Sequence, residues 1–239
     1  MKKYHNILLI LMFVITGCTK VSDQEPPIPD PIKSYFNIYN FLSEPYDVAW
    51  EIDDEVVEPV QTYGSPILEF SIMEKEVQDL MFTAKEAGAD HVIKNIVHQA
   101  KQNHYYTVSL MGNETDPLIL IEPMELKKPS MGQVKLRFMH TAMELGALDI
   151  YIGGSSPDHK ALSNVRYALL TEYFEASQKN LWEAIIVTPN NVAPEDSTLL
   201  SFTANNIFLP NHIYMGVIGH TTSSPSSSLH LQLYNQPVN

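Results

Sequence analysis

Residues 36–54 read FNIYNFLSEPYDVAWEIDD and residues 136–154 read LRFMHTAMELGALDIYIGG, and the second stretch lies on the first at an offset of 100 without a gap. Phe36/Leu136 and Ile38/Phe138 alternate with polar positions, Val48/Leu148, Trp50/Ile150 and Ile52/Ile152 alternate again, and Asp53-Asp54 falls on Gly153-Gly154. An apolar period of two belongs to a half-buried strand, so each copy opens with two strands and a turn. A second block recurs at an offset of 108, where Asn103-His104-Tyr105-Tyr106 faces Asn211-His212-Ile213-Tyr214. Each is followed by a strand (107–111; 215–218), a glycine (Gly112; Gly219), a polar loop and a closing strand (118–121; 229–233).

The middle of each copy reads the same way, with strands over 181–188 and 197–209 around a Pro/Asn-rich turn, and counterparts over 80–85 and 91–100. Residues 74–102 are rich in helix formers, and propensity alone gives two helices there. The repeat argues for strands instead. About seven short strands per copy, separated by regular turn signals, is the pattern of an immunoglobulin-like β-sandwich. The expected architecture is therefore all-β, with two tandem sandwiches over 34–125 and 126–239 and a hinge or connector at 122–132 that carries Pro123 and Pro129. Tyr106 and Tyr214 each follow a turn asparagine by three residues. An asparagine tolerates the left-handed backbone of such a turn, and a tyrosine placed there can tie its hydroxyl back to the chain as a tyrosine corner.

Upstream, Lys2 and Lys3 precede a short apolar run over 7–15 that is too short to span a bilayer, the layout of a signal peptide over 1–17. The run ends in Ile15-Thr16-Gly17-Cys18, which resembles a bacterial lipobox, and Cys18 is the only cysteine in the chain. Lipidation of Cys18 would anchor the protein to a membrane, since two or three acyl chains at about 0.8 kcal/mol per buried methylene hold stably where one is marginal. Residues 18–33 then carry Pro26, Pro27, Pro29 and Pro31 and read as a semi-rigid spacer. The expected address is the envelope of a Gram-negative bacterium, at the outer membrane.

The 239 residues carry 15 Lys+Arg against 28 Asp+Glu, and a net charge of -13 argues against nucleic acid as a partner. The charge is unevenly divided: residues 34–125 hold 4 Lys and 17 Asp/Glu, whereas 126–239 hold 7 Lys/Arg and 8 Asp/Glu.

The run Val134-Lys-Leu-Arg-Phe-Met-His140 followed by Leu148-Asp149-Ile150-Tyr151-Ile152-Gly153-Gly154 resembles the opening of a bacterial envelope repeat, the domain of unknown function 4397. That pattern is an apolar strand ending in His or Asn, a small-residue loop, an alternating strand containing Asp-Val-Tyr-Val, and later a Gly-Lys-x-Tyr-Thr turn. The second copy departs at the later turn, where Asn211-His212 stands for Gly-Lys, and the first copy has Asn40 for the His and Trp50 in the second strand. The two copies together cover Ser34 to the C-terminus. The resemblance implies a fold and an envelope address, and no chemistry.

No Gly-x-Ser-x-Gly elbow, His-Glu-x-x-His or phosphate-cradling glycine loop occurs in the sequence. His140 and Asn40 end equivalent strands and read as structural. His220 and His230 flank one hairpin loop, and Asp53, Asp54, Glu55 and Glu58 crowd one turn; a metal pair and a calcium loop are weighed there against solvated loops. No metal, catalytic residue or cofactor is expected. The candidate ligand-binding residues are the small hydroxyls Thr222, Ser223, Ser224, Ser226 and Ser227 of the last hairpin loop, with Asn113 and Asp116 in the corresponding loop of the first copy. Sandwich-end loops are polar, tolerant of change and often functional. The expectation is a non-enzymatic envelope lipoprotein that binds an extracellular glycan or protein through these loops. A structural or surface-assembly (adhesin-like) subunit and a hydrolase stand as alternatives.

Overall fold

The computed structural model describes residues 32–44, 46–203, 207–224 and 228–237. Cys18, the expected signal peptide and nearly all of the spacer lie outside the described residues.

The first repeat runs β1 (Lys33–Leu42), β2 (Val48–Ile52), β3 (Glu55–Gln61), β4 (Pro66–Ile72), β5 (Val77–Glu86), β6 (Val92–Lys101), β7 (Tyr105–Gly112) and β8 (Pro117–Pro123). Its two four-stranded sheets have the orders β4-β1-β7-β8 and β3-β2-β5-β6. The second repeat runs β9 (Gln133–His140), β10 (Leu148–Ile152), a 3-10 turn (Pro157–His159), β11 (Lys160–Val165), β12 (Phe174–Ser177), α1 (Gln178–Glu183), β13 (Ile185–Pro189), β14 (Leu200–Phe202), β15 (Ile213–His220) and β16 (Leu229–Gln236). Its sheets are ordered β12-β9-β15-β16 and β11-β10-β13-β14, the same topology strand for strand. The fold is thus two immunoglobulin-like β-sandwiches. Each has eight strands among the described residues, where sequence counting gave about seven.

Period two wins over helix propensity in residues 74–102. Alternate residues Leu80, Phe82 and Ala84 are fully buried, and β5 pairs with β6 from Val77↔Lys101 to Lys85↔Val92. A helix would scatter those three side chains around its axis. The reverse holds at residues 178–183, where the sequence reading starts a strand at Leu181. There Ser177 Oγ accepts the Asn180 N–H at 3.2 Å, Leu181 is buried, and one short helix precedes β13. The N-cap serine was the legible signal.

Both tyrosine corners are present. Asn103 and Asn211 have φ of 57° and 64°. The Lys101 N–H donates to Tyr106 Oη at 3.0 Å, and the Leu209 N–H donates to Tyr214 Oη at 3.0 Å. Trp50 is fully buried, and its Nε1–H donates to Gln61 Oε1 at 2.7 Å.

Each sandwich has its own core, built around Phe36, Trp50 and Phe82 in the first and Phe138, Ile150 and Phe208 in the second. A third cluster lies between them: Tyr39, Phe41 and Met111 of the first repeat pack with Met139, Met215, Val217 and Tyr234 of the second. The sheets that contain β1/β7 and β9/β15 therefore meet through their outer faces. These four central strands are paired in parallel, β1 with β7 and β9 with β15; β7, β9, β15 and β1 from Ile38 onward are buried on both sides, as parallel strands usually are.

Polar groups lock the same interface. Arg137 is 3% exposed, donates from Nη1 to the Pro123 carbonyl at 3.1 Å and from Nη2 to Thr107 Oγ1, and lies over the Tyr173 ring at 4.5 Å. Tyr234 Oη donates to the Gly64 carbonyl at 2.6 Å. The segment joining the sandwiches is held by Lys135, whose Nζ donates to Glu125 Oε1 at 2.9 Å and to the Lys127 carbonyl at 2.7 Å. Both contacts tie the connector to β9.

Candidate functional site

At the end of this interface where β1 and β7 begin, the apolar packing opens into a groove of about 550 Å3. Its floor follows from strand register. Parallel pairing sets Tyr35 beside Tyr105, and their rings stack with centroids 4.4 Å apart and an 11° interplanar angle. Beside them the antiparallel β1/β4 pair sets Asn37 against Leu68 and Tyr39 against Pro66. The opposite wall is Leu233, Tyr234, Asn235 and Pro237, from the end of β16 in the second repeat. The groove is therefore composite, and neither sandwich forms it alone.

None of the described lining residues is charged. Polarity comes from the carboxamides of Asn37 and Asn235 and from tyrosine hydroxyls. Burial pushes the Tyr39 hydroxyl up to about 12, against a hydrogen bond with Asn37, so it stays a neutral donor at physiological pH. Burial also raises Tyr234. A mostly apolar, aromatic-floored concavity with a few convergent polar groups is the usual form of a small-ligand site. A cleft of about 710 Å3 at the open β3/β4 edge is lined instead by Asp53, Glu55 and Glu69 beside Phe70 and Ile72.

The residues singled out from sequence lie at the other ends of the same strands. Thr222, Ser223 and Ser224 follow β15, where the Thr221 N–H donates to the Ser228 carbonyl at 3.0 Å and the Ser224 N–H donates to Thr222 Oγ1 at 3.2 Å. Ser226 and Ser227 lie outside the described residues. Asn113 is occupied by its own turn: its Oδ1 accepts the N–H of Thr115 at 3.0 Å and of Asp116 at 2.9 Å, while Nδ2 reaches Met143 Sδ at 3.9 Å. Asp116 is exposed at that turn.

His220 and His230 are not brought together. Register pairs His220 with Leu229 and Gly219 with His230, so the two rings leave opposite faces. His220 Nε2 lies 2.6 Å from Glu144 Oε1, and His230 Nδ1 lies 3.1 Å from the Gly219 carbonyl. Two acids of the β2–β3 hairpin hold backbone: Asp53 Oδ1 accepts the Met81 N–H at 2.7 Å and Glu58 Oε1 the Val60 N–H at 3.2 Å. Among the described residues no three His, Cys, Asp or Glu side chains gather as a metal site. His140 is fully buried, with Nε2 3.1 Å from the Gly146 carbonyl, and burial holds its pKa below the usual imidazole value.

Sequence reasoning missed the groove. Its legible trace was the tyrosine pair Tyr35 and Tyr105, on strand faces that the alternation assigns to solvent.

Comparison with known proteins finds no matching family model and no matching curated relative. Among solved structures, the chain is similar to the family 26 carbohydrate-binding module CBMbc of Eubacterium rectale Amy13K, crystallised in complex with maltoheptaose. That match has 10% identity over 86% of this chain and 97% of the other, with a TM-score of 0.23. A TM-score that low falls short of a shared fold.

Proposed function

We propose that this chain is a non-catalytic, lipid-anchored envelope protein of a Gram-negative bacterium that binds a glycan in the composite groove. The supporting observation is the stacked pair Tyr35/Tyr105 on the floor of an uncharged groove flanked by Asn37 and Asn235. Sugar rings present C–H faces that pack on aromatic rings, and their hydroxyls need neutral donors and acceptors at the edges. The resemblance to the envelope repeat supports the address. Placing the ligand in the groove moves the binding function away from the end loops.

A glycan array probed with the full chain tests the reading. Tyr105→Ala should weaken the strongest signals about tenfold, the scale of one lost aromatic contact. Tyr105→Phe, which keeps the ring, should stay within a few-fold of wild type. Equal binding by wild type and Tyr105→Ala would remove the groove from consideration.

The address has its own test. Cys18→Ser should leave the protein unprocessed or soluble, as read by membrane fractionation and intact mass. An uncut N-terminus on the wild-type protein in membranes would reject lipidation.

A further inference from the structure

The groove does not end at Leu68. Along the outer face of edge strand β4, Leu68, Phe70 and Ile72 are 69%, 43% and 57% exposed. Register places Phe70 beside Tyr35 and Ile72 beside Lys33, so this apolar strip starts in the groove and runs to the first residue of β1. Ile32, which precedes it, is 44% exposed, and its carbonyl accepts the Met73 N–H at 2.8 Å. An edge strand showing this much apolar surface to water invites association unless something covers it.

Two features of the chain narrow what can cover it. First, the strip is continuous through Leu68 with a groove of amide and hydroxyl groups, while Phe70 and Ile72 border Asp53, Glu55 and Glu69 on the far side, so one ligand that fills groove and strip must carry no negative charge and be polar at one end and apolar at the other. Second, the strip points to where the chain enters the fold, fourteen residues after the proposed lipid site at Cys18. Fourteen residues reach at most about 45–50 Å even when fully extended, so the start of the fold can lie no farther than that from the proposed anchor. Lys33, whose Nζ sits 3.6 Å above the Phe70 ring, adds an amphipathic stem on the same line.

We infer that the ligand is a glycolipid: its neutral sugar headgroup occupies the tyrosine groove, and the apolar segment next to the headgroup lies on Phe70 and Ile72. This rests on the glycan reading and narrows it to a membrane-borne ligand. The acidic first repeat, with 4 Lys against 17 Asp/Glu over residues 34–125, disfavours a negatively charged headgroup.

The experiment uses the full chain in nanodiscs of zwitterionic lipid, titrated with the oligosaccharide that ranks first on the array and with its octyl glycoside below the micelle concentration. The octyl glycoside should bind at least tenfold more tightly. Ile72→Ser should remove most of that advantage while the free oligosaccharide binds as before. Equal affinity of the two probes overturns the glycolipid inference and leaves the glycan reading standing. An advantage that survives Ile72→Ser also overturns it. If octyl glycosides of every sugar bind alike, the strip takes acyl chains without regard to headgroup, and the inference fails as well. An array with no wild-type signal ends both readings.

Discussion

Replacing Asp149 by alanine should destabilise the second sandwich by about 2–4 kcal/mol, a large share of the roughly 5–15 kcal/mol that holds a domain folded. The carboxylate is fully buried and accepts three hydrogen bonds, from Lys160 Nζ at 2.7 Å, the Asn164 N–H at 3.0 Å and the Asn191 N–H at 3.1 Å. Asn164 and Asn191 both stand at positive φ, so one side chain fixes two left-handed turns to the start of β10. Desolvation opposes ionisation, but Lys160 and the two amides outweigh it and hold the Asp149 carboxyl below its ordinary value. A carboxylate with a depressed folded value gives stability that is complete above its unfolded pKa, about 3.9, and is lost as the pH falls through the folded value. Wild-type stability should therefore drop below about pH 4, whereas Asp149→Asn should start lower and respond less to acid. Urea unfolding at pH 7 and pH 3 measures both. Equal acid slopes for the two proteins would show that other groups control the low-pH loss.

Arg137→Ala should have an effect of similar size on a different property. The guanidinium ties the Pro123 carbonyl and Thr107 of the first repeat to Tyr173 of the second, and burial pulls its pKa below the usual arginine value. Truncation leaves a cavity and unsatisfied groups at the centre of the interface, about 3 kcal/mol or more. Wild type should unfold in one calorimetric transition. Arg137→Ala should unfold in two, because the sandwiches no longer report each other's state. Arg137→Met, which refills the volume without a charge, should recover part of the loss. A single transition at the wild-type temperature for Arg137→Ala would mean that the apolar cluster couples the repeats by itself.

The offsets of 100 and 108 placed β1/β9, β2/β10, β7/β15 and β8/β16 because those strands carry their pattern locally, in alternating residues such as Val48, Trp50 and Ile52. That same alternation concealed the interface. Tyr39, Phe41, Met139 and Met215 are apolar at positions which a one-sided sheet would give to water, and only the near-continuous apolar character of these strands indicates burial on both faces. The groove was less legible still. Tyr35 and Tyr105 are distant in sequence, and parallel pairing across that distance is a decision of the whole fold, with no turn between them to announce it. The end loops attracted attention for their composition, yet the Asn113 side chain is used up in shaping its own turn.

The parallel pairing of β1 with β7 sets an order of events. A chain made from its N-terminus forms β1 first, and β1 finds its antiparallel neighbour β4 once β2 and β3 have followed it. Its parallel neighbour comes later still, since Tyr105 lies about 70 residues after its partner Tyr35, and closing so long a loop is slow and costs entropy before any contact rewards it. β16, the other wall of the groove, is the last of the described strands. The groove is thus complete only once β16 has joined the first repeat, and a chain stalled short of that strand lacks one of its walls.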